Sequence, residues 1–280
     1  MQVVIEKDPI AFLNKYEAWL RQKTSENNLI LGVLNGCKTG KYKEGIFLAV
    51  VENEKPLLLA VQTPPKNLVL SEDGSKESLK VLVEFLVKED IKVPGSIGSP
   101  DNVKFFIESY GSLVGKEFAP DMVMHIYSVN KVVVPEKIEG KLVFATQDDL
   151  EFSTKSLYDF SRESMPETEH LNIEELREKT LKSIQKGKVA IWKVNNKDVA
   201  IIVFDNLEYM GRITNVYTPP EFRKRGYAAA MTAQISQMLL DRGCDSVCLF
   251  ADATNPTSNG VYQRIGYKHV TDSIVYVLKD

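Results

Sequence analysis

The sequence is poor in cysteine and histidine, with three of each in 280 residues. Cys37, Cys244 and Cys248 form an odd set in a long chain. Only the last two lie close together, as CxxxC with no second Cys or His pair beside them. That excludes a disulfide framework and makes a poor zinc signal, so free and mostly buried thiols are expected. His125, His170 and His269 are too scattered to suggest a cluster, and no metal is expected. Neither sign of charge is in excess: 35 Lys and Arg face 38 Asp and Glu, a net charge of −3. A general nucleic-acid coat rests on surplus positive charge, so no nucleic-acid partner is expected. No run approaches the roughly 20 apolar residues that span a bilayer, so neither is a membrane partner. The opening residues, Met1 to Pro9, lack a basic segment followed by a long apolar run, and a cytoplasmic protein is the plain expectation.

What is present is ordinary globular material, 44% hydrophobic and 26% charged. At roughly 150 residues per domain, the length suggests two domains. Helical spacing of apolar residues marks Pro9–Arg21, Ser75–Lys88, Asp101–Val114 and Gly226–Arg242, and Asp148–Glu163, Ile173–Lys186 and the short Pro256–Arg264 also read as helices. Short apolar runs bounded by Gly, Asn or Pro read as strands at Leu29–Leu34, Ile46–Val51, Leu57–Gln62, Leu68–Leu70, Gly95–Gly98 and within Met122–Val134. Further strands are expected at Val189–Val194, Val199–Phe204, Arg212–Thr218, Val247–Phe250, Tyr267–Val270 and Ile274–Leu278. Asn195-Asn196-Lys197-Asp198 joins two of these with hairpin chemistry. Residues 46–134 and 189–278 therefore share one order: three strands, helix, strand, helix, closing strands. The fold class is α/β with a mixed sheet flanked by helices, in two tandem related domains, 1–138 and 139–280. The charged stretch Pro135–Lys141 is the expected boundary.

The segment from Val216 to Ala228 is the most informative. It is a strand, a break at Pro219-Pro220, three cations at Arg223, Lys224 and Arg225, and Gly226-Tyr227-Ala228 opening a helix. Unpaired amides and the positive end of the dipole make a helix start attractive to anions. Glycine at 226 lets the backbone curl and an anion come close, and Ala228 keeps the first turn narrow. Cations there oppose the dipole unless an anion is present, so a short anionic ligand such as a pyrophosphate fits. Neither a Walker A loop nor a GxGxxG fingerprint occurs. A second segment runs from Asp252 to Tyr267. Asn255 ends a strand and caps the next helix with Pro256 at its first position, Tyr262 lies two turns in, and Gly266 ends it. In open α/β sheets, ligands bind at such strand ends.

Together the two segments resemble the GNAT superfamily of acyl-CoA-dependent N-acyltransferases. Its [Q/R]-x-x-G-x-[G/A] motif is met by Arg223, Gly226 and Ala228. Its N-x-x-[A/S]-x-x-x-Y…G-[F/Y] pattern is met by Asn255, Ser258, Tyr262, Gly266 and Tyr267. The resemblance covers about residues 145–280. It implies that the strand before the loop splays from its neighbour to admit pantetheine. The backbone of Val216, Tyr217 and Thr218 would then bond pantetheine, and Asn255 would contact its arm. The amides of residues 224–229, which include Tyr227, Ala228 and Ala229, would hold the pyrophosphate, and Tyr262 would bond the sulfur and protonate the leaving thiolate.

Acetyl-CoA is thus the expected co-substrate, and the expected partner is a small-molecule amine, a protein N-terminus or a lysine. Glu208, Asp252, Glu163 and Glu221 are all candidates for the base; Asp252, ending the strand beside the splay, is preferred, and direct attack with water taking the proton stays open. A non-catalytic acyl-CoA-binding sensor or scaffold is the alternative. In the first half, Ser71-Glu72-Asp73-Gly74-Ser75 stands where the cations stand in the second, and its carboxylates would repel a pyrophosphate. One cofactor per chain is expected. Phe105, Phe106 and Tyr110 could line an acceptor pocket, although their helical spacing reads more simply as core.

Overall fold

The structure, a computed structural model, describes residues 1–42, 44–165, 170 and 172–279. The chain forms two compact units, Met1–Ile126 with Val270–Asp280, and Tyr127–His269.

In the first unit, β1 (Gln2–Glu6) precedes α1 (Pro9–Leu20) and α2 (Asn28–Lys38). Then come β2 (Ile46–Glu52), β3 (Lys55–Gln62), β4 (Leu68–Leu70), α3 (Lys76–Lys88), β5 (Gly95–Gly98), α4 (Pro100–Val114) and β6 (Phe118–Val129). The last strand of the chain, β12 (Lys268–Leu278), enters the same sheet, whose order is β1-β2-β3-β4-β5-β12-β6. β12 pairs antiparallel with β5, from Ile274↔Gly98 to Val277↔Gly95. β4 and β5 are parallel, with Leu68↔Ser96 and Val69↔Ile97. One face of the sheet, with Leu48, Val50, Leu58, Ala60, Leu68 and Leu70, packs on Leu79, Leu82, Val83 and Leu86 of α3 and on Val103, Phe106 and Ile107 of α4. Tyr110 is core as well, and its hydroxyl donates to the Ile91 carbonyl.

In the second unit, β7 (Lys141–Phe144) leads into α5 (Leu150–Ser164) and α6 (Ile173–Gln185). β8 (Val189–Val194), β9 (Lys197–Asn206), β10 (Met210–Tyr217), α7 (Tyr227–Asp241), β11 (Ser246–Asp252) and α8 (Pro256–Arg264) follow. Within this unit the strands run in the order β11-β10-β9-β8-β7. β10 and β11 pair parallel, whereas β9–β10, β8–β9 and β7–β8 are antiparallel. Asn195 and Asn196 both take positive φ (49° and 63°) in the β8–β9 turn, the geometry a two-residue hairpin demands. α7 buries Tyr227, Ala230, Met231, Ile235 and Leu239 against the sheet, and Trp192 fills the same core.

The common order of the two halves is therefore real at the level of elements. β2-β3-β4-α3-β5-α4 matches β8-β9-β10-α7-β11-α8, each with two antiparallel pairs and then a parallel one.

Several local expectations differ from the structure. The run Leu29–Leu34 lies in helix α2, with Ile30, Leu31 and Leu34 buried. An unbroken apolar run fits a strand or a buried helix equally, and its spacing i, i+1, i+4 is helical. β1 and β7 carry no strong alternation to mark them in the sequence; β7 begins at Lys141, the last residue of the charged stretch Pro135–Lys141, and pairs with β8. The two closing strands are one continuous strand, β12. The compact division falls at 126/127 and 269/270 instead of after 138. Pairing of β12 with β5 ties the chain's end to the first unit, while Ile138 packs on the core of the second.

Gly95 tests the β5–β12 pairing. A Cβ there would lie 2.2 Å from the Tyr276 carbonyl oxygen and 2.6 Å from Asn67 Oδ1. Gly95→Ala is expected to destabilise the first unit by about 2 kcal/mol, read as a lower urea midpoint in the fluorescence of Trp19.

Candidate active site

β10 and β11 are hydrogen-bonded only along Met210↔Ser246, Gly211↔Val247, Arg212↔Cys248 and Ile213↔Leu249. Beyond Ile213 the ladder stops, although β10 runs to Tyr217 and β11 to Asp252. β10 remains paired on its other side, with Asn215↔Val203, Val216↔Ile202 and Tyr217↔Ile201, after a register shift between Ile213 and Asn215. A bulge sharpens twist and redirects a strand, which turns this end of β10 away from β11. The outcome is a strand edge inside a sheet with backbone N–H and C=O groups left unpaired on one side. Such groups are obligatory hydrogen-bonding partners for whatever enters. The Thr218 hydroxyl, next along the chain, is also buried with no partner among the described residues, as is Asn259 Oδ1 on α8.

The open edge leads into the loop of Pro219 to Arg225. Lys224 takes φ 63° and Gly226 φ 83°, so the backbone curls before α7 begins. No side chain caps α7: its N-cap is Gly226, whose carbonyl accepts the first helical bond from Ala230 N. The amides of Tyr227, Ala228 and Ala229 therefore have no intrahelical acceptor. Arg223, Lys224 and Arg225 are exposed around them. In the first unit the equivalent helix start is closed. Ser75 and Ser78 form a reciprocal capping box on α3, and the Ser71 hydroxyl donates to the Asp73 carbonyl while accepting from Leu59 N. Burial pushes the half-buried Glu72 carboxyl up, and Lys23 pairs with Asp73. Acidic side chains and an occupied cap replace cations and an open one.

Across the splay, Asn255 caps α8, its Oδ1 accepting from Ser258 N at 3.1 Å. Asp252 Oδ1 accepts from Thr254 N and Thr254 Oγ1, both at 2.8 Å, in a local turn. Asn259 Nδ2 donates to the carbonyls of Asp252 and Asn255 and so ties α8 to the end of β11. Tyr262 is buried, with its ring 6.4 Å from Tyr127 and 6.0 Å from Tyr267. Its hydroxyl has no hydrogen-bond partner among the described residues, and burial pushes its pKa up to about 12. Tyr267 is held by Ser236, 2.7 Å away. Gly266, at φ 99°, turns the chain where a Cβ would lie 2.7 Å from the Lys131 carbonyl.

The structure brings Val216, Tyr217, Thr218 and the 223–229 loop together along one continuous path, and Asp252, Asn255 and Tyr262 together at the end of β11 and in α8. It separates the other carboxylates. Glu208 sits in the turn before β10, the strand end opposite the cradle. Glu221 lies exposed in the short turn Pro220–Phe222. Glu163, in the last turn of α5, is already engaged: Oε1 accepts from the Tyr217 hydroxyl at 2.7 Å and Oε2 from Arg223 Nη2 at 2.6 Å. Partial burial pushes its carboxyl up, but these donors more than offset it and hold the pKa below the ordinary value. Burial and the adjacent Glu163 push the Tyr217 phenol well up. Arg223 is thus turned towards Glu163 and the Thr218 carbonyl, which its Nε meets at 2.8 Å. This three-residue contact has no sequence signal, because its partners are 54 and 60 residues apart. Cys244 and Cys248 are buried, bonded to Asn206 and Ser128 respectively.

Among families, the one described as FR47-like protein matches residues 187–276, a stretch that contains both motifs. In fold, the chain is similar to a GNAT-family acetyltransferase from Colwellia psychrerythraea (TM-score 0.61, 10% identity, all of both chains covered). It is similar to a GCN5-related N-acetyltransferase from Sphaerobacter thermophilus (TM-score 0.60, 12% identity, 98% of this chain and 94% of that one). A Drosophila protein shares the fold as well (TM-score 0.65, 12% identity, 98% of each chain).

Two substitutions probe this geometry. Gly226→Ala places a Cβ at positive φ and 2.8 Å from Ile138 Cδ1, and is expected to cost roughly 1–2 kcal/mol in denaturation followed by Trp192. The stability difference between wild type and Glu163→Gln carries the sign of a depressed carboxylate: full above about pH 5, and lost as pH falls through the lowered folded pKa. Parallel acid titrations of the two proteins, with unfolding measured at each pH, test this.

Proposed function

We propose that this chain, whose fold is that of the GNAT superfamily, binds acetyl-CoA in its second unit and transfers the acetyl group to a primary amine. The observation that carries the reading is the open edge of β10 beyond Ile213, running directly into the uncapped start of α7. An extended amide-rich arm that ends in a pyrophosphate matches both halves of that feature. The arm would replace the missing strand along Val216, Tyr217 and Thr218. The pyrophosphate would receive the amides of residues 224–229, with Lys224 and Arg225 as the nearest exposed cations. The orphaned Thr218 Oγ1 and Asn259 Oδ1, and the exposed amide of Asn255, suit the polar groups of such an arm.

In the reaction the amine nitrogen bonds the thioester carbon, the C–S bond breaks, one proton leaves nitrogen and one reaches sulfur. A backbone N–H near Thr218 polarises the thioester carbonyl as negative charge develops on its oxygen. Tyr262, protonated at neutral pH, donates to the leaving sulfur as general acid. With its pKa pushed up to about 12, above the ~8.5 of an ordinary thiol, the phenolate left by donation is reprotonated by the proton that the amine releases, passed on through the base. Asp252 is the preferred acceptor of that proton, because it stands at the end of β11 and its Oδ2 is not used by the Thr254 turn.

The first test is thermal unfolding with and without acetyl-CoA, with ATP and NAD as controls. A ligand at ~100 times its Kd adds about 2.7 kcal/mol to native stability, so a rise in Tm with acetyl-CoA alone is expected. No rise in folded protein free of copurified CoA would overturn the reading. Tyr262→Phe is then expected to lower turnover at least 10²-fold while leaving acetyl-CoA affinity nearly intact. Equal loss of both would remove the acid role, and binding without turnover in wild type across an amine screen would favour a sensor.

A further inference from the structure

We infer that Glu163 is a positioning residue for the acyl-CoA site, a latch by which helix α5 holds the end of β10 and the loop before α7 in one arrangement. The inference rests on the acyl-CoA reading above and extends it to a residue that meets the open edge only through the Tyr217 hydroxyl and bonds none of its backbone groups.

One carboxylate serves two segments. Through Oε1, Glu163 receives the hydroxyl of Tyr217, the last residue of β10; through Oε2 it receives Nη2 of Arg223, where the chain leaves the turn. Arg223 closes the circuit, since its Nε bonds the Thr218 carbonyl and its guanidinium lies 5.5 Å from the Tyr217 ring centroid. Phe160, one turn earlier on α5, packs edge-on against the same ring at 6.5 Å. The five residues 218 to 222, of which Pro220–Phe222 form a single 3-10 turn, are thus spanned by a single side chain anchored on a helix. The prolines fix their own φ and the turn's amides bond the Pro219 and Pro220 carbonyls, but the Thr218 carbonyl is held by the Arg223 guanidinium, whose other end Glu163 anchors. The geometry also gives Arg223 a task other than binding phosphate. Among the described residues, it is the one of the three cations that is paired with a carboxylate.

The test is a double-mutant cycle on acetyl-CoA affinity, measured by titration calorimetry on folded full-length protein well below each variant's Tm. Glu163→Gln keeps an acceptor for Tyr217 and removes the charge that holds Arg223; Arg223→Met breaks the same contact from the other side. Each single change is expected to weaken acetyl-CoA binding about five-fold, in line with a partly exposed ion pair. The double variant is expected to be no weaker than either single one, because the contact is shared. A role in stability alone would lower Tm and leave the affinity of the folded protein unchanged. Unchanged affinity in both single variants overturns the latch, and so do losses that multiply in the double variant. If Glu163→Gln fails to fold, Arg223→Met and Tyr217→Phe, each removing one arm, decide by the same affinity criterion. Wild type that fails to bind acetyl-CoA overturns the acyl-CoA reading and this inference with it, whereas binding by wild type with indifferent variants overturns the latch alone.

Discussion

The divergence of β10 from β11 after Ile213↔Leu249 is the constraint from which the rest of the second unit's site follows. A parallel ladder that ran to the strand ends would satisfy every backbone group and leave nothing to bind. Because it stops early, the end of β10 has one paired edge and one unpaired edge, a costly arrangement in a protein interior unless a ligand or water completes it. The register shift between Ile213 and Asn215 starts the divergence, and Pro219-Pro220 prevents the strand from continuing past it. The loop must then reverse direction within a few residues, which brings Lys224 and Gly226 into left-handed conformations and leaves the amides of α7 open. Strand edge, orphaned hydroxyl and helix start are consequences of one local break in pairing.

The first unit shows what the same order of elements does without that break. β4 is only Leu68–Leu70, so there is no strand end to diverge. Ser71 bonds back to β3 and to the Asp73 carbonyl, and Ser75 and Ser78 close the first turn of α3 upon itself. At the start of α3 the Ser78 amide is taken by Ser75 Oγ and the Ser75 amide by Ser78 Oγ, where α7 has no side-chain cap. The difference between the halves lies in about ten residues, not in the architecture. Phe106 and Tyr110, with Ile107 between them, are committed to the α3–α4 core, so the apolar side chains of that helix serve packing.

Burial and protonation are linked at the other side of the splay. Tyr262 is enclosed by Tyr127 and Tyr267, which keeps its phenol neutral through the physiological range. Tyr267 belongs to the same motif as Tyr262 but has a different task, since its hydroxyl is taken by Ser236 inside the core. Of the two tyrosines that the pattern marks, one is held as packing and the other is left with a free hydroxyl.

Local chemistry was legible from residues alone wherever the physics is local. Helical spacing located α3, α4 and α7, Asn255-Pro256 marked the start of α8, Asn195-Asn196 marked the hairpin, and the run from Arg223 to Ala228 marked a glycine-led helix start beside three cations. Each depends on backbone preferences or side-chain periods within a few residues. The structure had to decide what depends on partners far away in sequence. An apolar run at Leu29–Leu34 became a helix because of the surface it covers, and β7 became a strand because β8 offers it an edge. Where β12 pairs moved the end of the chain into the first unit. Glu163 was visible only as one carboxylate among four candidates. Its bonds to Tyr217 and Arg223 arise from folding helix α5 onto the end of β10, a proximity that no residue pattern along the chain encodes.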